Sequence, residues 1–168
     1  LKLAGTAAEA EVIYSDRVFG IVGQRLPWLA STFLAGLFAS WILNQASIVF
    51  QTAVILLTFV PVITGMSGNV GTQSAMIMIQ GMATGHIDRS NLRWAIGRDL
   101  TVAAIMAVAC GLAVSGILWV WKGNPALGLC VGLALGISMV TASALGSTEP
   151  AVLKRFGIDP AIAAGPLI

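Results

Sequence analysis

The sequence predicts an all-α integral membrane protein, a polytopic helical bundle with four full transmembrane helices and the start of a fifth. Of its 168 residues, 57% are hydrophobic and only 10% are charged, and the mean hydropathy is +0.91. A typical soluble domain carries about 25% charged residues. The whole stretch from Leu26 to Ile87 contains no Asp, Glu, Lys or Arg. The net charge of +2 is too small to indicate a nucleic-acid partner.

The chain divides into a polar lead-in, residues 1–25, and a transmembrane domain, residues 26–168. The lead-in is expected to be soluble and partly helical, or simply a solvated amphipathic segment. A spanning helix needs about 20 apolar residues. We expect the transmembrane domain to lie in the lipid bilayer. The predicted crossings are Pro27–Leu43, Phe50–Met82, Leu100–Trp121 and Ala126–Ser147, and a truncated fifth begins at Ala161–Ile168.

The distribution of charge predicts the orientation. Lys122 is the one basic residue between the third and fourth crossings, whereas the alternate loops are rich in basic residues. Because cytoplasmic loops carry the excess of Lys and Arg, we expect the amino terminus to be cytoplasmic in a multi-pass protein of the cell (inner) membrane. The basic residues on the predicted cytoplasmic side are Lys2, Arg17, Arg25, Arg89, Arg93, Arg98, Lys154 and Arg155.

The stretch Pro61–Ala75 interrupts the second crossing. Pro61 has no amide hydrogen and therefore frees the carbonyl of Leu57. Irregular backbone in lipid is tolerated only where it is buried in protein or lines a water-filled path. We therefore predict a kink over Pro61–Gly71, with a departure from regular helix around Gly65–Gly71. The stretch combines three glycines and four polar residues, Gly65, Gly68, Gly71, Ser67, Asn69, Thr72 and Gln73.

The fourth crossing carries glycines at every fourth position, Gly128, Gly132 and Gly136. Such small-xxx-small ridges let membrane helices pack backbone to backbone, so this helix is expected to be central in the bundle. A charged loop is expected after it, from Glu149 and Pro150 onward.

The polar residues of the second crossing are the candidate functional groups. No nucleophile–base pairing is visible by spacing, so we do not expect an enzyme. Intramembrane polarity without ionisable groups suits a permeation path. The side chains of Asn69 and Thr72, with carbonyls around Gly65 and Gly68, offer neutral oxygens to a hydrated divalent cation. The alternative is that Asn69, Thr72 and Gln73 tie helices together by hydrogen bonds.

The same stretch carries a family resemblance. The pattern P-x-x-x-G-M-x-G-N-x-G-T-Q at Pro61–Gln73 resembles the signature of the MgtE-type magnesium transporters and channels. The run Arg25–Leu29 is similar to the approach to that family's first membrane helix. Gly157–Ala161, followed by Ala164–Pro166, resembles its last cytoplasmic loop. These matches occur in family order over residues 17–168.

The resemblance implies the pore domain of a homodimeric channel with five helices in each protomer. Mg²⁺ would be the transported ion, held largely through its waters at Gly65, Gly68, Asn69 and Thr72 and conducted into the cytoplasm. Residues 1–25 would connect to cytosolic regulatory domains of the parent chain. The alternatives are a coupled secondary transporter of divalent cations (Mg²⁺, Co²⁺ or Mn²⁺) and a non-transporting membrane scaffold.

Acidic residues mark the departures from the family. The family carries an intramembrane acid on its fifth helix, and no residue of this chain corresponds to it. Glu149 lies near the end of the fourth helix, where an acid is not typical of the family, and we expect it to be interfacial and solvated. Asp99 lies at the foot of the third helix, where family members often have an acid.

Overall fold

The computed structural model describes residues 18–45, 54–88 and 90–155, and these residues form α-helices with no strand among them. The all-helical prediction is therefore confirmed for this part of the chain. The helices are α1 (Val18–Gln45), α2 (Val54–Leu57), α3 (Val60–Ala83), α4 (Leu92–Lys122) and α5 (Pro125–Arg155).

Helix α1 belongs to a separate compact unit and contains the predicted first crossing, Pro27–Leu43. Within its unit the large apolar side chains that the structure describes, from Leu26 to Leu43, are exposed, and the rings of Phe38 and Trp41 stack with centroids 5.9 Å apart. A membrane role for α1 stays a prediction. The expected lead-in before residue 18 and the fifth crossing at Ala161–Ile168 lie outside the described residues.

Three stretches among the described residues are long and apolar enough to cross a membrane. They correspond to the second, third and fourth predicted crossings. A helix of 31 residues, such as α4, is about 46 Å long at 1.5 Å per residue, which exceeds the roughly 30 Å hydrocarbon core. Each must therefore tilt or extend beyond the core. The three stretches are Val54–Ala83, Leu92–Lys122 and Pro125–Arg155.

The break in the second crossing lies at Thr58–Phe59, directly before Pro61, and not over Pro61–Gly71 as predicted. Pro61 occupies the first turn of α3, where a missing amide hydrogen leaves no helical bond unmade. The amides of Thr58 and Phe59 bond to the carbonyls three residues earlier, at 3.3 and 3.1 Å. The prediction that Gly65–Gly71 departs from regular helix is wrong, because α3 is uninterrupted to Ala83.

Helix α5 continues to Arg155, so the charged loop predicted from Glu149 is wrong up to that residue. Pro150 lies inside the helix and is almost fully buried. Pro150 lacks the amide hydrogen that would bond to the carbonyl of Gly146, four residues earlier. Burial of Pro150 and Leu153 in the bundle holds the last turns in helical form.

Helix α5 is central in the α3–α5 bundle, as its glycine ridge predicts, and packs against both α3 and α4. A Cβ at Gly128 would lie 2.5 Å from the carbonyl oxygen of Ser115, whose hydroxyl donates to the carbonyl of Gly128 at 2.9 Å. On the other side of α5, Gly146 is in direct contact with the backbone of Gly71 in α3. Only hydrogen at these positions permits such approach.

The core of the bundle forms where the three helices meet. Partly buried Ile63, Met66, Cys110, Val114 and Val140 surround it. Its buried members are small on α4 and large on α5, so that the two helices approach closely and α5 fills the remaining space. They are Val70, Ala103, Ala107, Leu135 and Met139.

The loop between α3 and α4 is held by its own side chains. Gly85, with φ of 77°, ends α3 in the left-handed conformation that glycine adopts readily. The Asp88 carboxylate accepts hydrogen bonds from the amide and hydroxyl of Ser90 at 2.8 and 2.6 Å, and from the amide of Asn91 at 3.0 Å. These hydrogen bonds lower the pKa of Asp88 below its usual value, and the bond from the Ser90 hydroxyl has the largest effect.

Candidate functional site

Helix α3 has two different faces. Its buried face packs against α5 and the core. The four predicted site residues, Gly65, Gly68, Asn69 and Thr72, follow the spacing i, i+3, i+4, i+7 and therefore share another face of the helix. Gly68 is half-buried and the other three are exposed. We call these four residues the polar face of α3.

The oxygens that the polar face offers come from side chains. Since α3 is regular here, the carbonyls of Gly65 and Gly68 belong to the helical hydrogen-bond ladder. The Thr72 hydroxyl donates to the Gly68 carbonyl at 2.8 Å and keeps its own lone pairs as acceptors. Within the described residues, Asn69 makes no side-chain hydrogen bond. Its amide is therefore free to bond water or a hydrated ion.

The glycines of the polar face provide room. A Cβ built at Gly65 or Gly68 would meet no atom of the described residues within 4 Å. Because Gly65 and Gly68 have no side chains, the helix surface beside Asn69 and Thr72 is open, and a ligand with a full hydration shell can approach the helix closely.

Interhelical hydrogen bonds are made by serines, not by the polar residues singled out from the sequence. In the part of the chain that the structure describes, Asn69, Thr72 and Gln73 form no hydrogen bond to another helix. The Ser67 hydroxyl donates to the Ile63 carbonyl at 2.7 Å and lies 2.8 Å from the hydroxyl of Ser138 in α5.

A second polar connection crosses all three helices of the bundle. The hydroxyl of Ser74 in α3 donates to that of Ser143 in α5 at 3.2 Å, and Ser143 donates to Oδ2 of Asp99 in α4 at 2.8 Å. Ser74 and Ser143 are buried. Sequence reasoning missed this chain, although Ser67 and Ser74, seven residues apart, already mark one stripe of α3.

Basic side chains gather at one end of the bundle, which we call the basic end. Arg93 and Arg98 lie in the first turns of α4, and Lys154 and Arg155 lie in the last turn of α5. Lys122 is at the opposite end, 4.4 Å from the ring centroid of Trp121. This uneven distribution of basic residues is the pattern from which a cytoplasmic amino terminus was predicted.

Glu149 differs from the expectation of a solvated, interfacial side chain. It lies within α5, it is half-buried, and its Oε1 atom is buried without a hydrogen-bond partner among the described residues. Those residues include no group of three His, Cys, Asp or Glu side chains that could hold a metal ion.

Comparison with known proteins finds the same family along most of the chain. Residues 60–168 match the family model MgtE, described as a divalent cation transporter. The chain is 28% identical over 162 residues to the magnesium transporter MgtE of Bacillus subtilis, and 34% identical over 167 residues to that of Enterococcus faecalis. The Thermus thermophilus magnesium transporter MgtE is 31% identical over 144 residues.

These alignments cover nearly the whole chain but only part of each relative. The alignments with the Bacillus subtilis, Enterococcus faecalis and Thermus thermophilus proteins cover 96%, 99% and 86% of this chain. They cover 36%, 36% and 32% of those three proteins, respectively. The chain thus spans about a third of the length of the curated relatives that it matches. The matched region contains all of α3, α4 and α5, and with them the polar face.

Proposed function

Because the chain belongs to the MgtE family of divalent cation transporters, we propose that it forms the membrane part of a magnesium transporter that conducts hydrated Mg²⁺ into the cytoplasm. The polar face of α3 lines the path. One observation carries this proposal: neutral oxygens and open glycine surface lie together in a span-length helix, away from its packing face. In lipid, such a face requires water or protein beside it.

The chemistry of the polar face suits Mg²⁺ that retains its waters. Magnesium is octahedral and dehydrates reluctantly, so proteins bind it largely through its hydration shell. The carbonyl oxygen of Asn69 and the hydroxyl oxygen of Thr72 accept hydrogen bonds from those waters. Gly65 and Gly68 leave space for the shell. Soft metals would require His or Cys ligands, and the polar face contains neither.

A homodimer completes the path in this proposal. The polar faces of two copies would enclose an aqueous route that one copy leaves open on one side. With the amino terminus cytoplasmic, the basic end faces the cytoplasm of a cell whose inner membrane holds the protein. An inside-negative potential of 100 mV then favours influx by about 2.3 kcal/mol per charge, and by twice that for a divalent ion. Regulatory cytosolic domains would belong to the parent chain.

The test is magnesium flux into proteoliposomes that contain the full-length parent protein. Thr72→Ala and Asn69→Ala should each lower the flux, with the dimer intact, because each removes an oxygen from the polar face. Thr101→Ala is the matched control. Thr101 is also exposed, and its hydroxyl likewise donates at 2.8 Å to the carbonyl four residues earlier, but it lies on α4.

The outcomes separate the three hypotheses. Flux that falls in the α3 variants and not in Thr101→Ala supports the path. Flux that depends on an imposed proton or sodium gradient would replace the channel with a coupled transporter, for which polar sites at mid-depth are also common. Unchanged flux in well-folded Asn69→Ala and Thr72→Ala variants would refute the role of the polar face and favour a scaffold.

A further inference from the structure

Among the described residues near the basic end, Glu149 is the acidic side chain with a buried oxygen, Oε1, that accepts no hydrogen bond. Asp88 accepts three hydrogen bonds within its loop, and Asp99 accepts one from Ser143. In the described residues, Oε1 of Glu149 is the one buried side-chain nitrogen or oxygen without a hydrogen-bond partner. Native structures rarely leave a buried polar atom unsatisfied, and burying an unpaired carboxylate is costly. We therefore expect a ligand to bind Oε1 of Glu149.

The position of Glu149 on α5 is set by its neighbours along the helix. Ser138, Ala142, Leu145 and Glu149 follow the spacing i, i+4, i+7, i+11 and lie on one stripe. The hydroxyl of Ser138, at the start of this stripe, is 2.8 Å from that of Ser67 in α3. The stripe therefore runs along the edge of α5 that borders α3.

The edge of α5 that borders α4 is a different one. Gly132 packs on the backbone of Gly111, and a Cβ at Gly136 would lie 3.6 Å from the carbonyl oxygen of Ala107. At about 100° per residue, Glu149 is rotated by roughly 140° from Gly136 around the α5 axis. Glu149 thus lies on the side of α5 away from α4.

The polar face of α3 borders the same side of the bundle. On α3 the side chains that pack into the core, which α4 lines with Ala103 and Ala107, are Ile63, Met66 and Val70. At about 100° per residue, Gly68 and Thr72 lie on the opposite side of the Gly71–Gly146 contact from those residues. Glu149 and the Gly68–Thr72 edge of the polar face therefore flank one groove between α3 and α5, which we call the α3–α5 groove.

The depth of Glu149 follows from the helix register. Helices α3 and α5 run parallel, because Ser67 pairs with Ser138 and Ser74 pairs with Ser143. Measured from these pairs and from the Gly71–Gly146 contact, Glu149 lies between about 3 and 12 Å beyond Thr72 toward the basic end, at 1.5 Å per residue. A cation that leaves the polar face in that direction meets the Glu149 carboxylate next.

We propose that Glu149 forms a second cation site in the path, at which its carboxylate binds a divalent cation through the ion's waters before the basic end. This inference rests on the proposed function. The carboxylate supplies charge-assisted hydrogen bonds, which are stronger than those from the neutral oxygens of Asn69 and Thr72. It also gives the cation a local attraction just ahead of Lys154 and Arg155, which repel it.

The experiment compares magnesium flux against magnesium concentration for the full-length parent and its Glu149→Gln and Glu149→Asp variants in proteoliposomes. Glu149→Gln keeps the size of the side chain and removes its charge. We expect its half-saturating magnesium concentration to rise roughly five- to tenfold, the effect of losing charge-assisted hydrogen bonds in a hydrated site. Glu149→Asp should show a smaller rise. Asp88→Asn, a change to an acid at the same end whose carboxylate is hydrogen-bonded within its own loop, is the matched control and should show none.

A binding measurement separates this site from a structural role. Magnesium should raise the thermal unfolding temperature of the parent in detergent, and Glu149→Gln should need a higher magnesium concentration for the same rise. If Glu149→Gln unfolds at a lower temperature but keeps the parent's magnesium dependence and flux, the carboxylate pairs within the protein and the site is refuted.

The failure of this inference is distinguishable from failure of the proposed function. Flux that falls in Asn69→Ala but keeps its half-saturation in Glu149→Gln refutes the second site alone. Flux that is unchanged in Asn69→Ala and in Thr72→Ala refutes the path itself.

Discussion

Gly146→Ala tests the closest contact of the bundle. A methyl group at residue 146 would overlap the carbonyl oxygen of Gly71 and lie 3.0 Å from its carbonyl carbon, whereas carbon atoms prefer about 3.5–4.0 Å. The obstacle is helix backbone, which cannot rotate away like a side chain. Overpacking of this kind costs about 1–3 kcal/mol, and we expect the upper end. The change from Gly to Ala returns about 1 kcal/mol of helix propensity.

The net expectation is a loss of about 2 kcal/mol, or roughly a thirtyfold change in the folded-to-unfolded ratio. For a protein of 150–250 residues, each kcal/mol shifts the unfolding temperature by about 2–4 °C, so a fall of roughly 4–8 °C should be seen in detergent. Gly136→Ala is the matched control in the same helix. Its Cβ would lie 3.6 Å from the carbonyl oxygen of Ala107, an ordinary contact. If Gly146→Ala melted at or above the temperature of Gly136→Ala, the α3–α5 backbone contact would be refuted.

Two further predictions concern hydrogen bonds. Ser143→Ala removes the donor to Asp99 and should destabilise the bundle by about 1 kcal/mol, in the range measured for membrane helices. The control, Thr141→Ala, loses only a hydrogen bond within α5 and should lower the unfolding temperature less in the same thermal assay. Equal losses of stability in the two variants would contradict the interhelical role of Ser143. Asp88, whose lowered pKa is due first to the Ser90 hydroxyl, should contribute stability above its unfolded pKa of about 3.8 that is lost as pH falls through the lower folded value. The difference in unfolding temperature between the parent and Asp88→Asn should therefore shrink below pH 4, and a difference that grows on acidification would contradict this account.

The sequence predicted the helices and the central one among them because these depend on local signals. Apolar length indicates a span, and glycines at every fourth position indicate close packing, which Gly128 and Gly132 confirm by their contacts with α4. Gly65, Gly68, Asn69 and Thr72 share one face because α3 is a regular helix there, whereas from the sequence we expected this stretch to be irregular. Apolar length and glycine spacing are both properties of a single helix.

The errors arose where a local signal has two structural outcomes. Proline can break a helix or begin one, and Pro61 begins α3. Pro150 suggests the end of α5, but its burial in the bundle keeps the helix intact. The chain from Ser74 through Ser143 to Asp99 depends on the register of three helices, which no single stretch encodes. The burial of Glu149 depends on the same register.

The parallel course of α3 and α5 has an electrical consequence for the α3–α5 groove. Each helix acts as a dipole with about half a negative charge at its carboxyl end. In an antiparallel pair the two fields would cancel, but here both carboxyl ends lie at the basic end, so the fields add. In the proposed path, a cation that travels from the polar face toward Glu149 would therefore move down the potential of both helices. Lys154 and Arg155, in the last turn of α5, neutralise part of that potential where the ion would otherwise be trapped.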